Sequence, residues 1–441
     1  MILFHKFKSM LASSMLVFAI FIVNVSNVWA IDIQEVVTPS GIKAWLVEDY
    51  TVPLISVSME FTGGSTQDPA GLEGVTSIMG AMMDEGAGDL DTAALKAELE
   101  ERGIELGFSA DRDNVSGGMK LIATEKERAF ELLKMVLTAP KFEAASLERI
   151  RAGYISGAKR NTNDPDSILG KRIRETLFKD HPYGREQRGT LNSLEKITRD
   201  DIVSRHQALF ARDNVYIGVV GAISKEELMV ELERTLSDLP QQATLVEITD
   251  IVPVYGMREH ITFESPQTTV SLAMPGLKRN APDFFAAHIM NHILGGGTFS
   301  SWLYEEIREK RGLVYGIGTN LVTLEHTAYL GGGFATKPDQ AKDALELTLS
   351  EIKRMATDGP TQEELDAAKK FVFGTYAISN LDTSSKISNV LVGLQSSKLG
   401  IDYINKRAEF IDAVSLDVVK AMARRLLSDP PMVITIGPGE V

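Results

Sequence analysis

Hydrophobic and polar positions along the chain change period in a fixed order, and that order occurs twice. β-Branched or alternating runs at 33–37, 43–48 and 54–61, punctuated by Pro39-Ser40-Gly41 and Gly63-Gly64, read as strands. Apolar residues at helical spacing follow over 72–83 and 92–102, then strands over 105–110 and 114–122. Long amphipathic helices come next at 126–137 and 143–160, and an apolar strand at 215–220 closes the half. From Arg258 the order restarts, with strands at 260–263 and 268–273 and helices at 283–293 and 300–309. Strands at 314–322 and 328–334, helices at 341–355 and 362–376, and a last strand at 433–436 complete it.

The duplication is visible residue by residue. Segment 99–107 lies over 308–316 at an offset of 209, so that Arg102, Gly103 and Gly107 match Arg311, Gly312 and Gly316. Ala123-Thr124 and Ala129 lie over Ala335-Thr336 and Ala341 at an offset of 212. Copies of roughly 200 residues exceed the period of solenoid repeats. They predict an α+β protein of two homologous domains, each a mainly antiparallel sheet with helices packed on one face. Pro240, Gln241-Gln242, Pro253 and Gly256 mark a linker, which places the first domain at 31–240, the linker at 241–256 and the second domain at 257–441.

Residues 1–30 have a different character. Lys6 and Lys8 precede an apolar run at 16–23, and Val28-Trp29-Ala30 offers small residues at −3 and −1 of a cut. That is the pattern of a secretory signal peptide cleaved after Ala30. The run is shorter than the ~20 residues that span a bilayer. The expectation is therefore an exported, soluble, periplasmic protein with no membrane span after signal cleavage.

Charge and cysteine content narrow the chemistry. With 46 Lys+Arg against 60 Asp+Glu the 441-residue chain carries −14, a poor match for nucleic acid, which demands a basic face. Cysteine is absent, which excludes disulfides, thiol catalysis and thiolate metal sites. Gly295-Gly296-Gly297 lacks a following Lys-Ser/Thr, so it reads as a tight turn between helix and sheet and not as a phosphate loop.

Three local segments carry a resemblance. They are His181-Pro182-Tyr183-Gly184-Arg185 with Gly189-Thr190, Asn291-His292-Ile293-Leu294-Gly295-Gly296-Gly297, and Glu306-Ile307-Arg308-Glu309-Lys310-Arg311-Gly312-Leu313-Val314-Tyr315. In this order and spacing, over residues 33–438, the duplicated chain resembles the insulinase, pitrilysin and mitochondrial processing peptidase family of inverted zincins. Active members carry His-x-x-Glu-His on the first helix of the first half. Two His share a helical face and bind zinc, a distant Glu is third ligand, and the motif's Glu is general base. Here the ligand positions read Gly74 and Ile78, and the base position reads Ser77. The third ligand is expected ~75–80 residues on, as a zinc carboxylate. There the chain reads Tyr154-Ile155-Ser156-Gly157-Ala158-Lys159, with no carboxylate. The expectation is that this chain binds no metal and no other cofactor.

The second half contains another His pair. His288 and His292 stand at i and i+4, with Glu363 and Glu364 following 71 and 72 residues after His292. This reads either as a relocated zinc site or as a helix whose His are satisfied locally, and Asn291 stands where a base would be needed. His181, His206, His260 and His326 look scattered. The resemblance assigns a different role to Arg308 and Tyr315, seven residues apart. In the family an Arg and a Tyr at this spacing reach a zinc site across the chamber, the Tyr hydroxyl donating to the developing oxyanion and the Arg gripping substrate backbone. The repeat-equivalent residues in the first half are Leu99 and Leu106.

The resemblance thus implies a zinc-less subunit of a heteromeric periplasmic metallopeptidase. Arg308 and Tyr315 would act on a zinc-bearing paralogous subunit, and an unfolded peptide would add as a strand to a sheet edge. The alternatives are a non-enzymatic peptide-binding chaperone or scaffold of the same fold, and an independent zinc peptidase built on His288 and His292.

Overall fold

The computed structural model describes residues 31–441. The expected signal peptide lies outside the described residues. Two mixed sheets organise the chain. The first runs β1 (Gln34–Val37), β2 (Lys43–Glu48), β6 (Val215–Gly221), β3 (Leu54–Thr62), β5 (Asn114–Ile122), β4 (Glu105–Ala110). The second runs β7 (Arg258–Thr262), β11 (Met432–Gly437), β8 (Thr268–Pro275), β10 (Ala328–Thr336), β9 (Ile317–Thr323). Apart from the additional edge strand β1, the orders superpose. In each, the last strand of the half (β6, β11) lies parallel to one neighbour (β2, β7) and antiparallel to the central strand (β3, β8). The fold is α+β, as the duplicated pattern predicts.

Alternation explains the sheets. Along β3, Ile55, Val57, Met59 and Phe61 point into one core with Val115, Met119 and Leu121 of β5 and Ile217 and Val219 of β6. Helices Val75–Met82, Lys126–Thr138 and Lys225–Leu236 cover that face with Ile78, Met79, Phe130, Leu133 and Leu232. In the second half, Val270, Leu272 and Leu330 meet helices Phe284–Asn291, Ala341–Thr357 and Leu416–Leu427. Removal of this apolar area from water is the main stabilising term, about 25 cal/mol per Å².

Each sheet has a second face, and the halves cover it for each other. Helix Pro165–Phe178 of the first half lies on β11 and β8 of the second, where Leu169, Leu177 and Phe178 bury Ala273, Met432, Ile434 and Ile436. Helix Ser384–Ser396 of the second half lies on β6 and β3 of the first. This reverse contact is closer and more polar. Ser58 Oγ and Ser388 Oγ are 2.7 Å apart, Ser56 Oγ and Ser385 Oγ 3.2 Å, and Gln395 Nε2 donates to the Ile217 carbonyl at 2.9 Å. Gly218 permits it, because a Cβ there would sit 2.3 Å from the Ser388 carbonyl oxygen.

The segment after Leu239 runs across both halves. Gln67 exchanges two hydrogen bonds of 2.8 Å with the Val246 backbone. Further along, the Ile251 amide donates to the His326 carbonyl at 3.0 Å and the Val254 amide to the Leu177 carbonyl at 3.1 Å.

Candidate functional site

The degenerate motif sits at the start of helix Val75–Met82, and its surroundings have closed over it. Gly74 is the N-cap at φ +97°, a left-handed conformation that disfavours any side chain. The buried Asp68 carboxylate caps this end, accepting from the Gly74 amide at 2.7 Å, the Thr76 amide at 3.1 Å and the Thr76 hydroxyl at 2.5 Å. Burial pushes Asp68 up to about 6, against the pull of the hydrogen bonds from Thr76 and Gly74 and the charge of Arg205. Ser77 donates its hydroxyl to the Gln187 carbonyl at 2.9 Å, and Ile78 is wholly in the core.

The expected third-ligand window does arrive at the motif. Tyr154, on helix Ala144–Asn161, donates its hydroxyl to the Ser77 carbonyl at 3.1 Å. The sequence-matched positions are thus spatially one site, but its occupants are a glycine, two hydroxyls and an isoleucine. A Cβ at Gly74 would lie 2.9 Å from the backbone of Gly189, so the first ligand position is obstructed as well as substituted. These residues do not fit zinc, which takes imidazole, thiolate or carboxylate ligands.

Arg308 and Tyr315 occupy a different environment. Arg308 belongs to a wide helical turn, Tyr304–Glu309, in which the Lys310 amide reaches back five residues to the Glu305 carbonyl at 2.9 Å. Such turns recur at functional sites because they displace a side chain from the ordinary helical face. The turn ends at Gly312, φ +63°, the same value as Gly103 at the equivalent place in the first half. From this shared geometry the halves diverge. The first buries Leu99 and half-buries Leu106, whereas the second leaves Tyr315 89% exposed. Arg308 Nε donates to the Tyr315 carbonyl at 3.3 Å, and its guanidinium carbon stands 6.0 Å from the Tyr315 ring centre. The Tyr315 hydroxyl has no partner among the described residues.

The His pair of the second half is enclosed by aromatic rings. His288 stacks on Phe284 at 5.8 Å, and burial, then Arg407 and Arg279, hold its pKa down to about 4. His292 stacks on Phe371 at 4.7 Å and is lowered by burial. Glu364 accepts from Trp302 Nε1 at 2.6 Å and from the Thr361 amide at 2.7 Å as a helix cap. Neither it nor Glu363 joins the histidines, and no three His or carboxylate groups converge on a metal position among the described residues.

One arrangement escaped the sequence reading. His181 and His326, far apart in sequence, stand with ring centres 6.4 Å apart beside buried Tyr183. Tyr183 donates to Asp113 at 2.6 Å and accepts from the His326 amide at 3.0 Å, so it joins the two halves. The segment 181–185 that helped carry the resemblance therefore has a structural role. Gly295 lies not in a turn but in a wide helical segment, His292–Gly296, that continues the helix, and it lets helix and sheet approach closely, since a Cβ there would meet Thr319 Oγ1 at 2.5 Å.

Comparison with known proteins decides the lineage. Residues 44–191 match the family described as "Insulinase (Peptidase family M16)", and residues 196–372 match "Peptidase M16 inactive domain". The chain belongs to peptidase family M16. The "Non-peptidase homolog YmxG" of Helicobacter pylori is 24% identical over 344 residues, 77% of this chain and 79% of that protein. The crystal structure of a "peptidase M16 inactive domain" from Pseudomonas fluorescens is similar at TM-score 0.87 and 27% identity, covering 93% of this chain and 98% of that one. The periplasmic protease PqqL of Escherichia coli shares the fold at TM-score 0.80 and 15% identity, with 92% of this chain covering 46% of that larger one. Within M16 this chain is an inactive-type member, and Gly74, Ser77 and Ile78 stand at the positions matched to the zinc motif.

Proposed function

We propose that this M16 chain is the zinc-less subunit of a heteromeric periplasmic metallopeptidase, completing the active site of a zinc-bearing paralogue. The observation that carries the reading is the contrast at the repeated turn: leucines packed inward in the first half, and Tyr315 left bare beside Arg308 in the second. The fold does not require polarity here. A hydroxyl without a protein partner, at the end of a rigid turn, is disposed to donate to a group supplied from outside the chain.

The partner's zinc site would supply the attacking water. What this chain contributes is orientation and charge stabilisation. Arg308 spends Nε on the Tyr315 carbonyl, which leaves both terminal nitrogens to hold a substrate main-chain carbonyl. Tyr315 then donates to the oxygen of the carbonyl under attack as negative charge develops. The export pattern of residues 1–30 supports the periplasmic assignment, as does the compartment in the name of the E. coli relative.

The test is reconstitution. The mature chain and its paralogue should co-elute 1:1 and cleave unfolded peptides, with activity abolished by a chelator. Tyr315→Phe removes one exposed oxygen, so folding and assembly should be unchanged while turnover falls ~10²–10³-fold with little change in peptide affinity. Arg308→Ala should raise the Michaelis constant as well, since a backbone grip acts on ground and transition states together. Wild-type turnover from Tyr315→Phe, or a paralogue fully active alone, would refute the reading in favour of a peptide-binding scaffold.

A further inference from the structure

A second site lies against the loop that precedes helix Phe284–Asn291 and the one that precedes helix Tyr403–Asp412. Here a cavity of about 450 Å³ is walled by Phe284, Phe285, Tyr403, Phe410 and Val418. Three of those rings form one surface: Phe285 stacks on Tyr403 at 6.2 Å and on Phe410 at 6.1 Å, and Tyr403 and Phe410 are 5.5 Å apart. An apolar body is the natural occupant of such walls.

The charge on this cavity is the unusual part. Arg279 has its guanidinium carbon 4.4 Å from the Phe284 ring centre and 4.9 Å from that of Tyr403, so two rings fix its plane. No side chain or carbonyl among the described residues accepts from it. Lys398 stands on the same wall, in a left-handed backbone conformation at φ +56°. Behind Phe285 lies Arg407, 7% exposed, with its guanidinium 5.4 Å from that ring and 4.1 Å from Tyr376. Arg407 gives Nη1 to the Val372 carbonyl at 3.1 Å, but its Nε has no partner and no carboxylate faces it. The Tyr403 hydroxyl is likewise buried and unpartnered. The one acid on the wall, Asp283, is drawn outward to Arg425 at 3.4 Å. Arg279 and Lys398 thus stand on the wall with Arg407 behind it, and no carboxylate among the described residues pairs with any of the three, in a chain whose net charge is −14.

Of the three, Arg407 is buried, and a buried cation without an acid is expensive. Arg279 and Lys398 are the two that face the cavity and remain open to a ligand. We propose that this cavity binds a carboxylate carried on an apolar body, the carboxylate meeting Arg279 and Lys398 and the body lying on Phe285, Tyr403 and Phe410. The planar, ring-clamped guanidinium suits a two-oxygen acceptor. Free medium-chain carboxylates and the C-terminus of a peptide ending in an apolar residue present the same chemistry. Arg279, Asn280 and Lys398 also line a neighbouring cavity of about 430 Å³ beside Asp113 and Glu325, which gives a longer ligand an exit. The proposal needs no partner subunit and stands or falls independently of Tyr315.

Titration calorimetry on the mature chain tests it, with decanoate, decanol, inorganic phosphate, and an acetylated Ala-Ala-Leu peptide as free acid and as amide. Decanoate, the free-acid peptide, or both should bind in the range of about 10–500 μM, the scale set by ligands of this size. Decanoate alone would identify free carboxylates as ligand, and the free-acid peptide alone would identify a chain terminus. Arg279→Gln should weaken binding about 10-fold or more, in line with loss of a charge-assisted pair. Val418→Trp should abolish it by filling the apolar end while leaving the charges in place. Both variants should keep the wild-type thermal midpoint, which reports that the cavity walls are intact. Decanol or the amide binding as tightly as the acid, phosphate binding as tightly as decanoate, Arg279→Gln binding at wild-type strength, or no binding by either carboxylate would overturn the proposal.

Discussion

Restoring the zinc motif by substitution should fail, and the structure says by how much. The variant is Gly74→His, Ser77→Glu and Ile78→His, with Tyr154→Glu as an optional third ligand. At Gly74 any side chain is held at φ +97°, which costs roughly 1–2 kcal/mol for an L-residue. Its Cβ would also lie 2.9 Å from Gly189 backbone, and rigid overpacking of that kind costs about 1–3 kcal/mol. Ile78 is fully buried, so His there forfeits roughly 2–3 kcal/mol of apolar burial. It also adds about 1–3 kcal/mol for an imidazole with no partner. Ser77→Glu puts a carboxylate where a hydroxyl now meets the Gln187 carbonyl, an acceptor facing an acceptor. The sum, about 5–11 kcal/mol before that last effect, rivals the whole stability of an ordinary domain. These neighbours will couple, so the total is an order of magnitude and not an addition. Zinc would offset it only if all ligands could reach one point, which the Gly189 contact prevents. The assay is elemental analysis of protein purified with excess zinc, alongside urea unfolding. Gly74→Ala alone should already lower the urea midpoint. A folded triple or quadruple variant holding one zinc per chain would refute the argument and show the pocket to be an intact template.

Two further perturbations are worth making. Gly218→Ala should destabilise by about 1–3 kcal/mol, because its Cβ would meet the Ser388 carbonyl at 2.3 Å and push off the helix the second half lends to the first. Unchanged urea stability would show that contact to be slack. Acid should also weaken the native state. Burial holds His206 and His288 at about 4 against 6.5 unfolded, so between pH 4 and 6.5 the unfolded chain binds two protons the native state lacks, and stability rises with pH. Asp68, raised from 3.8 to about 6, works the opposite way over pH 4–6, since there the native state holds the extra proton. These three groups by themselves contribute a rise of roughly 3 kcal/mol from pH 4 to 6.5, which the burial-raised carboxyls of Glu60, Asp84, Asp111 and Glu351 oppose. His288→Leu should remove its share of that rise, so that the variant gains less stability than wild type between pH 4.5 and 6.5 in urea titrations, and parallel profiles for the two would contradict the assignment.

How far the sequence reveals this molecule depends on the range of the interaction. The duplicated order of elements is legible because hydrophobic period is local, and Gly103 and Gly312 align because both take φ +63° in the same turn. The loss of metal ligands is equally plain from residue type. The exchange of helices is not. Pro165–Phe178 and Ser384–Ser396 have unremarkable patterns, and what makes them cohere is apolar surface on strands about a hundred to three hundred residues away. Nor does residue type show that Gln187, Gly189 and Tyr154 close the old metal pocket. His181 and His326 meet only because Tyr183 ties the halves together through Asp113 and the His326 amide. The wide turn that carries Arg308 lies where a regular helix over 300–309 is expected, since intrinsic propensity cannot report a five-residue reach.

The two halves began with the same turn and have used it differently, and that asymmetry constrains what the second half does. In the first, losing the metal left nothing unsupported, since Asp68 caps the helix, Ser77 and Tyr154 satisfy each other's neighbourhood, and the far face of the sheet is covered by Ser384–Ser396. Folding alone therefore favours apolar closure, and Leu99 and Leu106 show it. Burying a large apolar side chain is worth about 1.5–3 kcal/mol. At Tyr315 the chain forgoes most of that gain, exposing a ring that a leucine in the same turn could have hidden. Intramolecular stability gives no reason for this choice. On the function proposed above, a substrate carbonyl held beside a partner's metal would give the ring an apolar contact and its hydroxyl an acceptor.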